Sequence, residues 1–198
     1  MIKVKDWIAA LKHLALERVT YYDNTFPSNC GEINPDGSIS FDCIGLVKSL
    51  INELDIAYKT SPAGYYVTPG QVIPDATEIG ILYLCSDISD KNFDKAVPGE
   101  YLYMEGHAGV YVGDFTDPSG VVNTIECTVA SFDSGVTTSW TAPDGTRYNH
   151  KGGYAERKWL KHGKLDKYID YSGQPAKKFL KVKNIILKDK YIELEVEE

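Results

Sequence analysis

Turn-forming residues constrain this chain more than any other feature. Its 17 glycines and 9 prolines leave only two long stretches with the apolar period of a helix, both within the first 54 residues. Elsewhere Asn34-Pro35, Asp36-Gly37, Pro98-Gly99 and Asp144-Gly145 divide the sequence into runs suited to short strands. A chain cut this way is built on many turns rather than long helices and suits a mixed α and β domain. With 198 residues, 43% of them hydrophobic and 25% charged, it has the length and apolar content of one packed α+β domain.

Met1 to Val19 places Trp7, Ile8, Leu11, Leu14 and Ala15 on one stripe, with Asp6, Lys12, Glu17 and Arg18 interleaved. Those charges fit an amphipathic helix and not an export signal, and no apolar run reaches the ~18 residues of a membrane span. The expectation is a soluble chain made in the cytoplasm without a signal peptide. The second helix begins abruptly within Phe41 to Leu54, where Ile44, Val47, Leu50, Ile51 and Leu54 share the helical period and Ser40 or Asp42 is the expected N-cap. Asp23 to Ser40, between the helices, reads as a long surface loop, and a short helix is expected near Asp75 to Cys85.

Beyond Pro98-Gly99, the runs Tyr101 to Met104, His107 to Gly113 and Val121 to Val129 are rich in aromatic and β-branched residues and predict an antiparallel meander. The region containing Pro143-Asp144-Gly145 and Gly152-Gly153 reads as loops. Ser172-Gly173-Gln174-Pro175 reads as a joint, after which Ile192, Leu194 and Val196 alternate with Glu193, Glu195 and Glu197, as in a β-hairpin. The expected division is a principal domain over 1–172 with a hairpin extension over 173–198 packed on it.

The formal net charge of −7 gives no global attraction to a phosphate backbone, so no nucleic-acid partner is expected. The charge is uneven. Residues 147 to 190 hold 13 Lys and Arg against 4 Asp and Glu, a net +9 against −16 for the remainder. Such a segment is either a solvated lysine-rich face or a contact for an anionic polymer. Cys30, Cys43, Cys85 and Cys127 lie at long irregular spacings without a C-x-x-C pair, so reduced thiols are expected rather than a zinc site or a disulfide framework.

Cys43 stands out by position. It falls in the first turn of the second helix, where unpaired backbone N–H groups carry partial positive charge and favour the nucleophilic thiolate. His107 stands out among the four histidines; His13 lies in an ordinary amphipathic helix, and His150 and His162 lie in lysine-rich, turn-rich sequence that predicts solvated rings. In His107 to Gly113, alternation puts Ala108, Val110 and Val112 on one face and His107, Gly109 and Tyr111 on the other. The small Gly109 leaves room for another element to approach that second face. If Gly113 and Gly120 close the hairpin loop, Tyr111 opposes Val122, Gly109 opposes Thr124 and His107 opposes Glu126. A carboxylate then sits beside the imidazole, the orienting partner in a nucleophile, base and third-group arrangement, while Asn123 and Cys127 point away.

These residues resemble the NlpC/P60 superfamily of papain-like cysteine hydrolases. Asp42-Cys43-Ile44-Gly45-Leu46-Val47 is similar to that family's D-C-S-G-L-V nucleophile motif, Gly106 to Gly113 to its G-H-V-G-I-Y-x-G histidine motif, and Pro98 to Leu102 to its P-G-D-L segment. Segments from Thr20 to Asn24, Ser40 to Cys43, Leu102 to His107, Val122 to Thr128 and Trp159 to Tyr171 are similar, in the same order, to catalytic modules of bacteriophage endolysins of Gram-positive hosts. The resemblance spans residues 1 to 172. It implies a papain-like α+β fold, Cys43 as nucleophile, His107 as base and Glu126 as third residue, with Tyr21 or its neighbour Tyr22 lining the site and Asp42 beside it in a substrate-binding and oxyanion role.

Ile44 departs from the family's serine, which puts recognition of a free stem-peptide amine in doubt, and no separate wall-binding domain is evident. The implied activity is hydrolysis of a peptidoglycan amide, by a stem-peptide endopeptidase or an N-acetylmuramoyl-L-alanine amidase, without metal or organic cofactor, acting on the wall after release from the cytoplasm. A catalytically silent wall-binding module using the basic segment, and a thiol acyltransferase, are the alternatives. The sequence does not set an oligomeric state.

Overall fold

The chain leaves Ile2–Lys3 (β1) directly into the first helix, Val4–Glu17 (α1), whose stripe of Trp7, Ala10, Leu11 and Leu14 is buried. In this computed structural model residues 1–24, 30–57, 73–130, 133–149, 155–172, 182–188 and 191–196 are described. The helix also buries Asp6 and His13, which the amphipathic reading did not anticipate. Next come Thr20–Tyr22 (β2), Cys30–Ile33 (β3) and Ile39–Phe41 (β4), which form a small sheet with β4 in the centre, parallel to β2 and antiparallel to β3.

The long surface loop expected over Asp23 to Ser40 is therefore corrected. Asn34 to Gly37 does turn the chain, with Gly37 at φ +81°, but Ile39 and Phe41 beside it are fully buried as strand residues. The apolar content of β4 is too brief to show a period in the sequence. The second helix, Cys43–Ala57 (α2), forms where it is expected, and Ile44, Val47, Leu50, Ile51 and Leu54 enter the core. Asp42 is its N-cap: Oδ1 accepts the Gly45 N–H at 2.6 Å, satisfying one of the donors that a helix start leaves open.

Glu78–Leu82 (α3), capped by Thr77, answers the helix expected near residues 75 to 85 and precedes Ser86–Ser89 (β5). Then follow Tyr101–Met104 (β6), His107–Asp117 (β7), Gly120–Ala130 (β8), Asp133–Thr141 (β9), Thr146–Asn149 (β10), Ala155–Lys158 (β11) and Lys161–Lys164 (β12). With β5 they make an antiparallel sheet of order β11-β10-β9-β8-β7-β6-β12-β5. The meander β6-β7-β8 is the predicted one. Strands β9 to β12 were not predicted, because their runs are dominated by Thr, Ser, Lys and Arg and lack an apolar alternation.

One face of this sheet, carrying Ala108, Val110, Ile125, Cys127 and Val136, joins Trp7, Leu11, Leu46, Val47 and Leu50 of the helices in the main core. Ile169–Asp170 (β13) pairs in parallel with β1, and Val182–Lys188 (β14) pairs with Tyr191–Val196 (β15) as the terminal hairpin. The backbone of that hairpin lies beside α1, α2 and β3. Among the described residues no helix is long and apolar enough to cross a membrane.

Two histidine expectations resolve differently. His150 lies outside the described residues, as does part of the basic segment. His162 is buried, against the expected solvated ring: Nδ1 meets Glu100 Oε2 at 2.5 Å, Nε2 meets the Lys91 carbonyl at 3.1 Å, and Phe93 packs on its ring. A ring facing two acceptors must donate from both nitrogens, which only the imidazolium does. Burial works against that charge, but the Glu100 and Lys91 bonds together raise the His162 pKa.

Candidate active site

The site forms where the start of α2 meets the start of β7. Cys43 is the first residue of α2, held there by the Asp42 cap and by β4, whose Phe41 carbonyl accepts from the Cys127 thiol at 3.3 Å. The backbone N–H groups of Ala108, the residue after His107, and of Ile44 act on the Cys43 sulfur and favour its thiolate. Yet the side chain is buried, and that burial, with the charges of Glu78 and Asp42, pushes the thiol up to about 12. The helix start therefore does not yield the thiolate expected from position alone; desolvation outweighs the N–H groups, and the resting group is a thiol.

His107 and Glu126 meet as expected, but through a different register. Gly109, not His107, opposes Glu126, Val110 opposes Ile125 and Tyr111 opposes Thr124; an irregularity between Tyr111 and Phe115 then shifts the pairing so that Asp117 opposes Gly120. Asp117 and Gly120 close a tight turn at Pro118-Ser119, in place of the wider loop expected to be closed by Gly113 and Gly120. Displacement by two residues keeps every side chain on its face, since strand side chains alternate. Glu126 thus becomes the diagonal neighbour of His107, within reach of two long side chains. His107 Nε2 and Glu126 Oε2 are 2.5 Å apart, and Glu126 is fully buried.

Two residues of this cluster were not foreseen. Arg147 Nε on β10 donates to Glu126 Oε1 at 2.6 Å. Burial alone would raise the Glu126 pKa, but the Arg147 charge and the bonds from His107 and Arg147 bring it down to about 2. An ionised carboxylate only accepts, so the hydrogen between the two groups lies on Nε2 of His107. Trp159 stacks on His107, with ring centroids 5.6 Å apart and an interplanar angle of 19°, and its Nε1 donates to Thr141 Oγ1 at 3.0 Å.

A Cβ on Gly109 would stand 2.9 Å from Trp159 Cη2. The element that approaches this glycine is therefore the indole. The glycine was legible in the sequence, and its partner was not. Arg147 carried no signal separating it from the other cations of the basic segment.

Tyr21 is 43% exposed, and the alternation of β2 turns Tyr22 the other way, into the packed side. Burial and the charges of Cys43, Asp42 and Cys127 push the Tyr22 hydroxyl up to about 12. Asp42 is placed next to Cys43 as expected, but its carboxylate caps α2, and its negative charge cannot stabilise an oxyanion. Among the described residues, no group of three or more His, Cys, Asp or Glu is arranged to hold a metal ion.

No protein-family model, curated protein or solved structure matches this chain.

Proposed function

We propose that this chain is a cysteine hydrolase of papain-like arrangement that cleaves an amide bond of bacterial peptidoglycan. The observation that carries the reading is the convergence of three separated segments. The Ala108 N–H acts on the Cys43 sulfur at the start of α2, and His107, the residue before Ala108, is fixed through Nε2 by a buried, ionised Glu126. An antiparallel sheet carrying the histidine and carboxylate, packed on a helix that opens with the cysteine, also supports the papain-like description. The assignment of peptidoglycan as substrate rests on the resemblance of the motifs around Cys43 and His107 to wall hydrolases.

In this mechanism the neutral thiol sets the order of events. His107 Nδ1 takes the Cys43 proton as sulfur attacks the substrate carbonyl, so the thiolate forms in the reaction and is not stored beforehand. Backbone N–H groups at the start of α2 hold the oxyanion. The imidazolium returns its proton to the leaving amine as the C–N bond breaks, leaving a thioester. Water, deprotonated by the same nitrogen, then releases the acid and restores the thiol. Cleavage within the stem peptide and cleavage between glycan and first alanine share this chemistry, and the enzyme would reach either bond after release from the cytoplasm.

Release of soluble muropeptides from purified walls tests the proposal. Cys43→Ala should lose about three orders of magnitude or more of activity, since the covalent route disappears. Mass spectrometry of the fragments distinguishes endopeptidase from amidase. Equal release by wild type and Cys43→Ala, or wall binding without any release, would refute the hydrolase reading.

A further inference from the structure

Glu126 divides its carboxylate between two partners, Oε2 to His107 on β7 and Oε1 to Arg147 on β10. Arg147 reaches it across β9, and its own side chain is only 12% exposed. On β9 the residue opposing Glu126 is the uncharged Thr137, and on β8 the adjacent Cys127 faces the main core. Arg147 and His107 are thus the two groups that act on this carboxylate.

We propose that Arg147 is a positioning residue for the reaction, fixing Glu126 as an acceptor-only carboxylate with Oε2 aimed at His107. The inference rests on the reading of Cys43 as nucleophile and His107 as base. Its chemistry is specific. A buried carboxylate deprived of its counter-ion takes up a proton. A protonated Glu126 donates to Nε2, which moves the imidazole hydrogen to Nδ1 and removes the lone pair that must accept the thiol proton. Arg147 therefore acts on the tautomer of a ring that it does not touch. The guanidinium suits this task because it stays charged and its planar donors fix the carboxylate's orientation.

The test compares wild type, Arg147→Met and Arg147→Lys as full chains. Muropeptide release is followed against pH, and NMR of the Glu126 carboxyl carbon and the His107 ring nitrogens is recorded in the same proteins carrying Cys43→Ala. Arg147→Met should raise the Glu126 titration by about one pH unit or more, shift the ring hydrogen to Nδ1 and slow release more than about tenfold. The acid limb of its rate profile should move upward with the carboxyl. Arg147→Lys, which keeps the charge, should restore the titration and most of the rate. Arg147→Gln carries the same expectations as Arg147→Met, should that variant fail to fold.

A wild-type Glu126 titration and ring tautomer in a folded Arg147→Met protein would overturn the proposal, and so would Arg147→Lys performing no better than Arg147→Met. Failure of the hydrolase reading would look different. Cys43→Ala would then match wild type in muropeptide release, whatever the NMR showed at Glu126.

Discussion

Glu126→Gln keeps the size of the side chain and removes its titration, so it isolates what the buried charge contributes to folding. A carboxyl held at about 2 in the fold, against 4.5 in an unfolded chain, stabilises the fold above the unfolded value and loses that contribution as pH falls toward the folded one. Those two values give about 3 kcal/mol at pH 5 and about 1 kcal/mol at pH 3. The stability gap between wild type and Glu126→Gln should therefore close by about 2 kcal/mol over that interval. Arg147 left without its carboxylate adds a penalty to the variant, but the guanidinium does not titrate in this range, so that part is constant. Urea unfolding followed by circular dichroism at pH 5, 4 and 3 measures the gap directly. A gap independent of pH would show that Glu126 is not held ionised, and would remove the argument for hydrogen on His107 Nε2.

Two further predictions concern packing and a second buried histidine. Gly109→Ala places a methyl group 2.9 Å from the Trp159 indole, so the ring must shift off His107; denaturant titration should show a loss of about 1 to 3 kcal/mol, and an unchanged stability would refute the close approach. His162 has a folded pKa raised above its ordinary value, so its bonds to Glu100 and Lys91 stabilise fully below pH ~6.5 and weaken as pH rises through the folded value. The melting temperature lost by His162→Gln should be larger at pH 6 than at pH 9, and equal losses would refute the imidazolium.

Local signals along the chain are enough to place the local pieces. The helical period and Asp42 located α2 and put Cys43 in its first turn, because capping and burial of one stripe depend on neighbours in the chain. Strict alternation after Gly106 put His107 and Gly109 on one strand face, and because that alternation survives a shift of two residues, Glu126 remained on the face of His107 although the assumed turn was wrong. Tertiary structure decided what depends on partners distant in sequence. Only the packed β2 could separate Tyr22 from the exposed Tyr21, only the ladder through β9 brings Arg147 to Glu126, and only the crossing of the chain after β11 lays Trp159 on Gly109. The protonation state of Cys43 belongs to the same class. A helix start favours the thiolate, but the burial that reverses the preference is set by packing against the sheet, and Glu78 adds its charge; neither is contained in the residues around Cys43.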